Sequence, residues 1–178
     1  MTTTQTPPVI PATHEPLLAV ARSVAGEDCV TVSVFRDNVR FHVVPGKVLA
    51  VLKNLRSECG LDMLIDLSAA DYLNYPGAAN RYGIWYVLES VSSGLRVIVK
   101  TWANDPEPRL DSIFDVWRGA DWMEREVFDM FGVVFDGHPD LRRILMPDEF
   151  VAHPMRKDYP LRGEGERHNF LALSREQS

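Results

Sequence analysis

The sequence lacks several features that would assign it to a class at once. No stretch approaches the ~18 consecutive apolar residues of a membrane-spanning helix. The N-terminus has neither a basic region followed by an apolar run, as in a secretory signal, nor the Arg-rich character of a mitochondrial transit peptide. The 25 acidic residues outnumber the 19 basic ones, and the net charge of −6 argues against a nucleic-acid-binding protein. We therefore expect a cytoplasmic protein, unless a partner ties it to a membrane.

Cysteines and the usual catalytic motifs are also scarce. The chain has only Cys29 and Cys59, which form no CxxC pair, so neither could hold a zinc ion or an iron–sulfur cluster alone. The sequence contains no GxGxxG dinucleotide motif, no phosphate-binding P-loop and no GxSxG nucleophile elbow. The residues alone therefore predict no self-contained active site in this chain.

The composition is that of an ordinary folded domain with distinctive ends. The 178 residues are 46% hydrophobic and 25% charged, enough to bury a core without disulfides or metals. A Thr- and Pro-rich stretch predicts a flexible N-terminal arm over 1–14, followed by a globular domain over 15–132. Proline-containing turn pairs then recur, and they predict an extended tail over 133–178. Such long irregular segments are usually functional, or are ordered by something else.

Hydrophobic spacing predicts the order of the secondary-structure elements. Helical periodicity favours helices over 15–25, 47–59, 112–117 and 120–131. Alternation and turn residues favour hairpins over 30–44 and 84–102, a strand over 61–67 and a polar loop over 69–82. Because this order is not a regular βαβ alternation, we predict an α+β fold with a small mixed or antiparallel sheet, helices mainly on one of its faces, and the proline-punctuated tail behind it.

The predicted helix over 120–131 carries charges near its C-terminal end. Glu126 and Asp129 lie three residues apart, on one helix face, where the macrodipole disfavours acids. Arg125 and Asp129 lie four apart and could form an ion pair. The carboxylates could form a solvated or internally paired face, a partner interface, or an acid/base or metal-ligating pair.

Histidines and basic residues follow this helix. His138 and His153 each precede a proline, and with Glu126 and Asp129 they could ligate the metal of a small hydrolase, although the spacing matches no known metal motif. Four cations lie in the same region: Arg142, Arg143, Arg156 and Lys157. They could pair with the acidic helix within the chain, or dock on a partner of complementary charge.

Three stretches, 124–132, 137–145 and 153–161, resemble the C-type subunit, the 30 kDa subunit family, of proton-pumping NADH–quinone oxidoreductase, which is respiratory complex I. The less distinctive part over 30–118 also fits that family. The residues that carry the resemblance, and that it assigns to a partner interface, are Glu124, Arg125, Glu126, Asp129, Gly132, His138, Pro139, Asp140, Arg142, Arg143, His153, Pro154, Arg156, Lys157, Asp158 and Tyr159.

The resemblance implies a non-catalytic structural subunit of the hydrophilic arm, held peripherally on the cytoplasmic side of a bacterial cell membrane. It implies no cofactor in this chain, with the flavin and the iron–sulfur clusters in partner subunits. It also implies docking to the homologue of the D-type subunit near the quinone site, with the tail draped over the neighbouring subunits. Electron transfer from NADH to quinone, coupled to proton translocation, would then belong to the whole assembly.

Related complexes carry similar subunits and remain alternatives. They include ferredoxin–plastoquinone oxidoreductases, membrane-bound hydrogenases and reduced-deazaflavin dehydrogenases, although the closeness of the stretches over 138–143 and 156–161 favours the NADH–quinone type. For a structural subunit we expect a tail with little contact to its own domain. We also expect the charged residues of the three stretches to form ion pairs with another chain.

Overall fold

Residues 9–165, which the computed structural model describes, form three α-helices, seven β-strands and short 3-10 turns. The helices are α1 (Glu15–Ala25), α2 (Val48–Cys59) and α3 (Ala120–Phe131). The strands are β1 (Val30–Phe35), β2 (Asn38–Val43), β3 (Met63–Asp71), β4 (Tyr82–Glu89), β5 (Arg96–Ala103), β6 (Arg109–Asp111) and β7 (Val134–Asp136). None of the helices in this described part is long and apolar enough to cross a membrane.

Five of the strands form one mixed sheet in the order β1-β2-β5-β4-β3. Both predicted hairpins are present, since β1 pairs with β2 and β4 with β5, each antiparallel. Strand β3 adds to β4 antiparallel, while β2 and β5 run parallel at the centre of the sheet. The strands β6 and β7 form a separate parallel pair. The predicted α+β class with a mixed sheet is confirmed.

The core lies on one face of the five-stranded sheet. Burial alternates along β5: Val97 and Val99 are buried, whereas Ile98 and Lys100 are only half-buried. Strands β2 and β4 alternate in the same way. The buried strand residues share one hydrophobic cluster with the buried stripes of α1, α2 and α3. The helices therefore cover one face, as predicted, and leave the other face without a covering layer in the described residues.

Local chemistry explains where α3 ends and why one predicted helix is missing. Helix α3 ends at Gly132, whose φ of +76° is a left-handed conformation that glycine adopts without steric cost. The segment over 112–117 forms turns, so the predicted helix there is wrong. The Ser112 hydroxyl accepts from the Phe114 amide and donates to Glu124, which ties the segment to α3. The predicted polar loop is also shorter, since β3 runs to Asp71 and β4 begins at Tyr82.

The two predicted terminal segments lie only partly within the described residues. Residues 1–8 of the predicted arm and 166–178 of the predicted tail fall outside them, so those expectations stay predictions there. The described end of the arm is attached to the domain, because the His14 ring hydrogen bonds to the Arg96 carbonyl at 2.9 Å. The tail begins with β7, which pairs with β6.

Candidate functional site

Asp129, near the C-terminal end of α3, is the centre of the contacts that hold the following segment. Its carboxylate is fully buried and accepts from Arg143 Nη1 at 2.6 Å. It also accepts from three consecutive backbone amides, those of Ile144, Leu145 and Met146, at 3.1, 2.8 and 2.8 Å. Burial alone would raise the pKa of Asp129, but these hydrogen bonds outweigh it and hold the pKa below the usual value. The charged carboxylate thus fixes the path of the loop over 143–146.

Arg125 and Arg143 extend this attachment to other parts of the segment. Arg125 donates to the backbone carbonyls of Arg142 and Arg143, at 3.1 Å each. Arg143 in turn donates to the Val151 carbonyl at 2.9 Å. The predicted ion pair between Arg125 and Asp129 is therefore wrong. Arg125 instead satisfies carbonyl groups of an irregular segment that has no sheet or helix to pair with.

Gly132 lies directly beneath His153 and Arg156. The His153 Nδ1–H donates to the Asp129 carbonyl at 3.0 Å, and Arg156 Nε donates to the Phe131 carbonyl at 2.6 Å. A Cβ atom at Gly132 would come within 2.6 Å of the His153 ring and also collide with the Arg156 guanidinium. Burial, followed by the nearby charges of Arg156 and Arg143, lowers the pKa of His153. The position therefore needs glycine for its backbone conformation and for space.

A second group of charges attaches the segment to the end of the sheet. Arg81 pairs with Asp71 at 3.1 Å, with Asp105 at 2.5 Å and with Asp158 at 2.7 Å. The backbone amide of Lys157 donates to Asp71 at 2.8 Å. Burial opposes the charge on Arg81, but the hydrogen bonds to the three carboxylates raise its pKa. Sequence reasoning missed Arg81, Asp71 and Asp105, because they lie outside the motif stretches and carry no local signal.

At the other end of α3, Glu124 is also fully buried but is bound differently. It accepts from Ser112 Oγ at 2.6 Å and from the Ile113 amide at 2.7 Å. Burial raises the pKa of Glu124 to about 7. His138 Nε2 lies 3.4 Å from Asp121 and 3.9 Å from Glu124.

These positions separate the groups of the hypothetical hydrolase site. His138 contacts Asp121 and His153 contacts Asp129, and these two α3 residues lie eight positions apart, which is about 12 Å along the helix axis. Glu126 is exposed although Asp129 is buried, so the two carboxylates do not form a pair. Within residues 9–165 no group of three or more His, Cys, Asp or Glu residues could hold a metal ion. The metal-dependent hydrolase hypothesis is wrong, because its two histidines lie too far apart to share an ion.

The described tail is thus attached to its own domain, and the expectation of little self-contact is wrong for 137–165. Prolines in the sequence indicated irregular backbone but could not indicate the buried acids beneath it. Within this chain, the contacts of Glu124, Asp129, Arg143 and Arg156 are internal. Contact of the motif residues with another chain stays a prediction.

Four apolar side chains of this segment are exposed and are together called the C-terminal apolar surface here: Leu145, Val151, Met155 and Leu161. The same segment also carries exposed charges, including Asp140 and Arg142, which pair at 3.1 Å. Tyr159 packs its ring against Phe150 with the centroids 5.8 Å apart. An irregular segment is therefore held from beneath by buried charges and presents apolar groups outward.

Comparison with known proteins identifies the family. The model of the 30 kDa subunit of respiratory-chain NADH dehydrogenase matches residues 41–165. The chain belongs to this family. The C-type subunit of NADH-quinone oxidoreductase from Hydrogenovibrio crunogenus is 36% identical, over 84% of this chain and 81% of its own length. The same subunit from Trichlorobacter lovleyi is 48% identical, over 66% of this chain and 72% of its own length.

Solved structures agree with this assignment. A trypsin-resistant fragment of Nqo5 superposes with a TM-score of 0.65 at 29% identity, covering 72% of this chain and 99% of the fragment. A chain of the membrane-bound sulfane sulfur reductase, an archaeal respiratory membrane complex, has a TM-score of 0.68. At 23% identity, over 83% of this chain and 85% of that one, the second likeness shows the fold alone. The resemblance stated from the motifs is confirmed, and a structural subunit role is consistent with it.

Proposed function

We propose that this chain is a non-catalytic structural subunit of the hydrophilic arm of a proton-pumping NADH–quinone oxidoreductase. In this proposal it docks on the homologue of the D-type subunit near the quinone site, on the cytoplasmic side of a bacterial membrane, and associates with the membrane only through the complex. The flavin and iron–sulfur clusters belong to partner subunits, and this chain binds none of them.

The observation that carries the proposal is an apolar surface on an irregular segment whose shape is already fixed. Single exposed apolar residues are ordinary, but here Leu145, Val151, Met155 and Leu161 lie on one short segment. Asp129 and Arg81 hold the backbone beneath it before any partner arrives. A binding segment that is already ordered loses less conformational entropy on association, which strengthens docking.

The charged groups beneath the segment support an architectural role over a catalytic one. The carboxylate of Asp129 and the guanidinium groups of Arg81 and Arg143 are engaged in bonds that hold the chain together. A catalytic group needs access to a reacting atom, and here the Asp129 side chain is fully buried while those of Arg81 and Arg143 are only 13% and 14% exposed. Their positions instead determine where the C-terminal apolar surface lies.

Co-purification tests the proposal on the intact protein. The full chain carries an affinity tag and is purified from its native membrane as the parent, as Val151→Glu and as Val91→Glu. Val151 is 83% exposed on the C-terminal apolar surface, whereas Val91 is 65% exposed in the turn between β4 and β5 and serves as the matched control. A carboxylate buried in an apolar interface would be costly, so Val151→Glu should recover several-fold less of the D-type partner.

The control defines the outcomes that would contradict the proposal. Val91→Glu should recover the D-type partner and the NADH-oxidising subunits as the parent does. Equal recovery by Val151→Glu would show that this surface does not dock. Recovery of a ferredoxin-dependent or hydrogenase module in place of the NADH-oxidising subunits would assign the chain to one of the related complexes instead.

A further inference from the structure

A cluster of basic and aromatic residues lies on the opposite face of the sheet, which the helices leave open. At its centre is Lys100 in β5, whose register partners are His42 in β2 and Trp85 in β4. The Lys100 ammonium lies 4.5 Å from the centroid of the Tyr72 ring and 4.2 Å from that of the Trp102 ring. It also donates to the Tyr72 hydroxyl at 2.9 Å. These contacts hold the ammonium group in one place.

The surroundings of Lys100 are basic or apolar. It lies in a depression of about 270 Å³ that contains no acidic side chain; the lining residues are Arg40, Tyr72, Trp85, Val87, Ile98 and Lys100. The Arg40 guanidinium lies over the Phe35 ring, 5.5 Å from its centroid. Within the described residues neither Arg40 nor Lys100 forms an ion pair, which distinguishes them from Arg81 and Arg143.

The neighbouring titratable groups leave these two charges uncompensated. His42 hydrogen bonds to Ser33 at 2.7 Å, and burial, followed by the charges of Lys100 and Arg40, lowers its pKa. Glu89, further along β4, is already paired with Arg96 at 2.6 Å. Asp66 is exposed on β3, beside Val87 of β4, with its backbone about 10 Å from that of β5, and it is not among the residues that line the depression. The depression therefore has a local positive charge in a chain whose net charge is −6.

We propose that this depression, the Lys100 site, is a second docking site, which binds an acidic side chain of a neighbouring subunit. The inference rests on the proposed function, since it requires that the chain has such neighbours. Two fixed cations attract a carboxylate, and a partner that covers the surrounding Trp85, Val87 and Ile98 would displace water and strengthen the attraction. The same walls would accommodate an apolar side chain beside the acidic one. The overall negative charge of the chain disfavours an extended polyanion as the occupant.

The Lys100 site and the C-terminal apolar surface serve different contacts. The segment over 137–165 is bound to α3, and α3 belongs to the layer that covers the other face of the sheet. Lys100 lies on the open face. One neighbour can therefore occupy the C-terminal apolar surface while another neighbour, or another part of the same one, places its carboxylate at Lys100.

Zero-length crosslinking of the purified complex tests the Lys100 site. A water-soluble carbodiimide activates a carboxylate, and an amine in contact with it then forms an amide while the carbodiimide leaves as a urea. We expect Lys100 to form this amide with an aspartate or glutamate of another subunit. Lys100 should also be acetylated several-fold more slowly in the complex than in the isolated chain. Absence of the crosslink, with equal acetylation in the two states, would overturn the proposal.

Two further results separate this proposal from its alternatives. Lys100 could instead form no crosslink and lose its protection from acetylation when phospholipid is removed. That result would show that a lipid phosphate occupies the site, and it would overturn the proposal of a protein carboxylate. Lys100→Glu should reduce recovery of the crosslinked subunit, whereas Lys53→Glu, the same charge change on the exposed side of α2, should not. If the chain co-purifies with the complex but Lys100 stays fully reactive to acetylation, only the Lys100 site is refuted. If the chain co-purifies with no other subunit, the proposed function is refuted.

Discussion

The two ends of helix α3 each bury a carboxylate completely, but the two carboxylates behave in opposite ways. Glu124 has two donors, both uncharged, and burial raises its pKa to about 7. Asp129 has the Arg143 guanidinium and three backbone amides, and its pKa is lowered. Desolvation raises the pKa of both acids, so the difference between them comes from the number and charge of their hydrogen-bond donors. Glu124 attaches a turn of the domain, whereas Asp129 attaches the segment that carries the C-terminal apolar surface.

Removing the carboxylate of Asp129 should have the largest effect. Asp129→Ala leaves Arg143 and the amides of 144–146 without their acceptor, and we expect a loss of about 2–4 kcal/mol in the free energy of unfolding. Denaturant unfolding measures this loss, and hydrogen exchange should show that these amides lose protection. Glu126→Ala, an exposed acid on the same helix, should change stability by less than about 0.5 kcal/mol. Equal effects of the two substitutions would contradict the role assigned to Asp129.

Gly132→Ala should have an intermediate effect at the same end of the helix. Its left-handed φ and the collision of a Cβ with His153 and Arg156 predict a loss of about 1–3 kcal/mol. Gly60→Ala at the end of α2 is the matched control, since its φ is +65° but nothing lies within 4 Å of the added Cβ. The difference between the two variants in denaturant unfolding measures the close packing alone. Equal losses of stability in the two variants would mean that His153 and Arg156 do not pack closely against Gly132.

At pH 5, where folded Glu124 keeps its proton, Glu124→Gln should have the smallest effect of the three, and the stability difference from the parent should change as the pH rises. Because the folded-state pKa of Glu124 lies above the unfolded value of 4.5, its contribution to stability is full below about pH 4.5 and is lost as the pH rises through about 7. The parent should therefore lose stability between these values relative to Glu124→Gln, whose amide does not titrate. Unfolding curves at pH 5 and pH 7.5 measure the change. Parallel pH profiles for the two proteins would falsify the raised pKa.

Asp129 provides the opposite pH dependence as an internal contrast. Its folded-state pKa lies below the usual value of 3.8, so its contribution is full above about pH 3.8 and is lost only as the pH falls further. Stability differences between the parent and Asp129→Ala should therefore shrink in strong acid. At neutral pH they should be at their largest.

The helices and hairpins of this fold could be predicted from the sequence, whereas the long-range contacts could not. Helical periodicity and the glycine at 132 predicted the bounds of α3 as the structure has them, and turn residues predicted both hairpins. The segment over 112–117, predicted as a helix, forms turns instead, and the bond of its Ser112 hydroxyl to Glu124 is a contact that no local rule anticipates.

The candidate site shows the same division between local and long-range information. Its motif residues could be recognised as a family pattern, but their contacts could not be derived. Asp129 binds amides about 15 residues away, and Asp71 binds the Lys157 amide 86 residues away. A carboxylate can accept from any backbone amide, so the sequence does not specify which one it binds. Prolines in the tail therefore suggested a free segment where buried acids in fact hold it.

Side-chain oxidation by hydroxyl radicals tests most directly whether the C-terminal apolar surface is covered by a partner. We expect Leu145, Val151 and Met155 to react readily in the isolated chain and several-fold less in the purified complex. Val91, in the turn between β4 and β5, should react equally in both and calibrates the comparison. Equal oxidation of Val151 and Met155 in the isolated chain and in the complex would contradict docking through this surface, because the surface would then face solvent in the assembly.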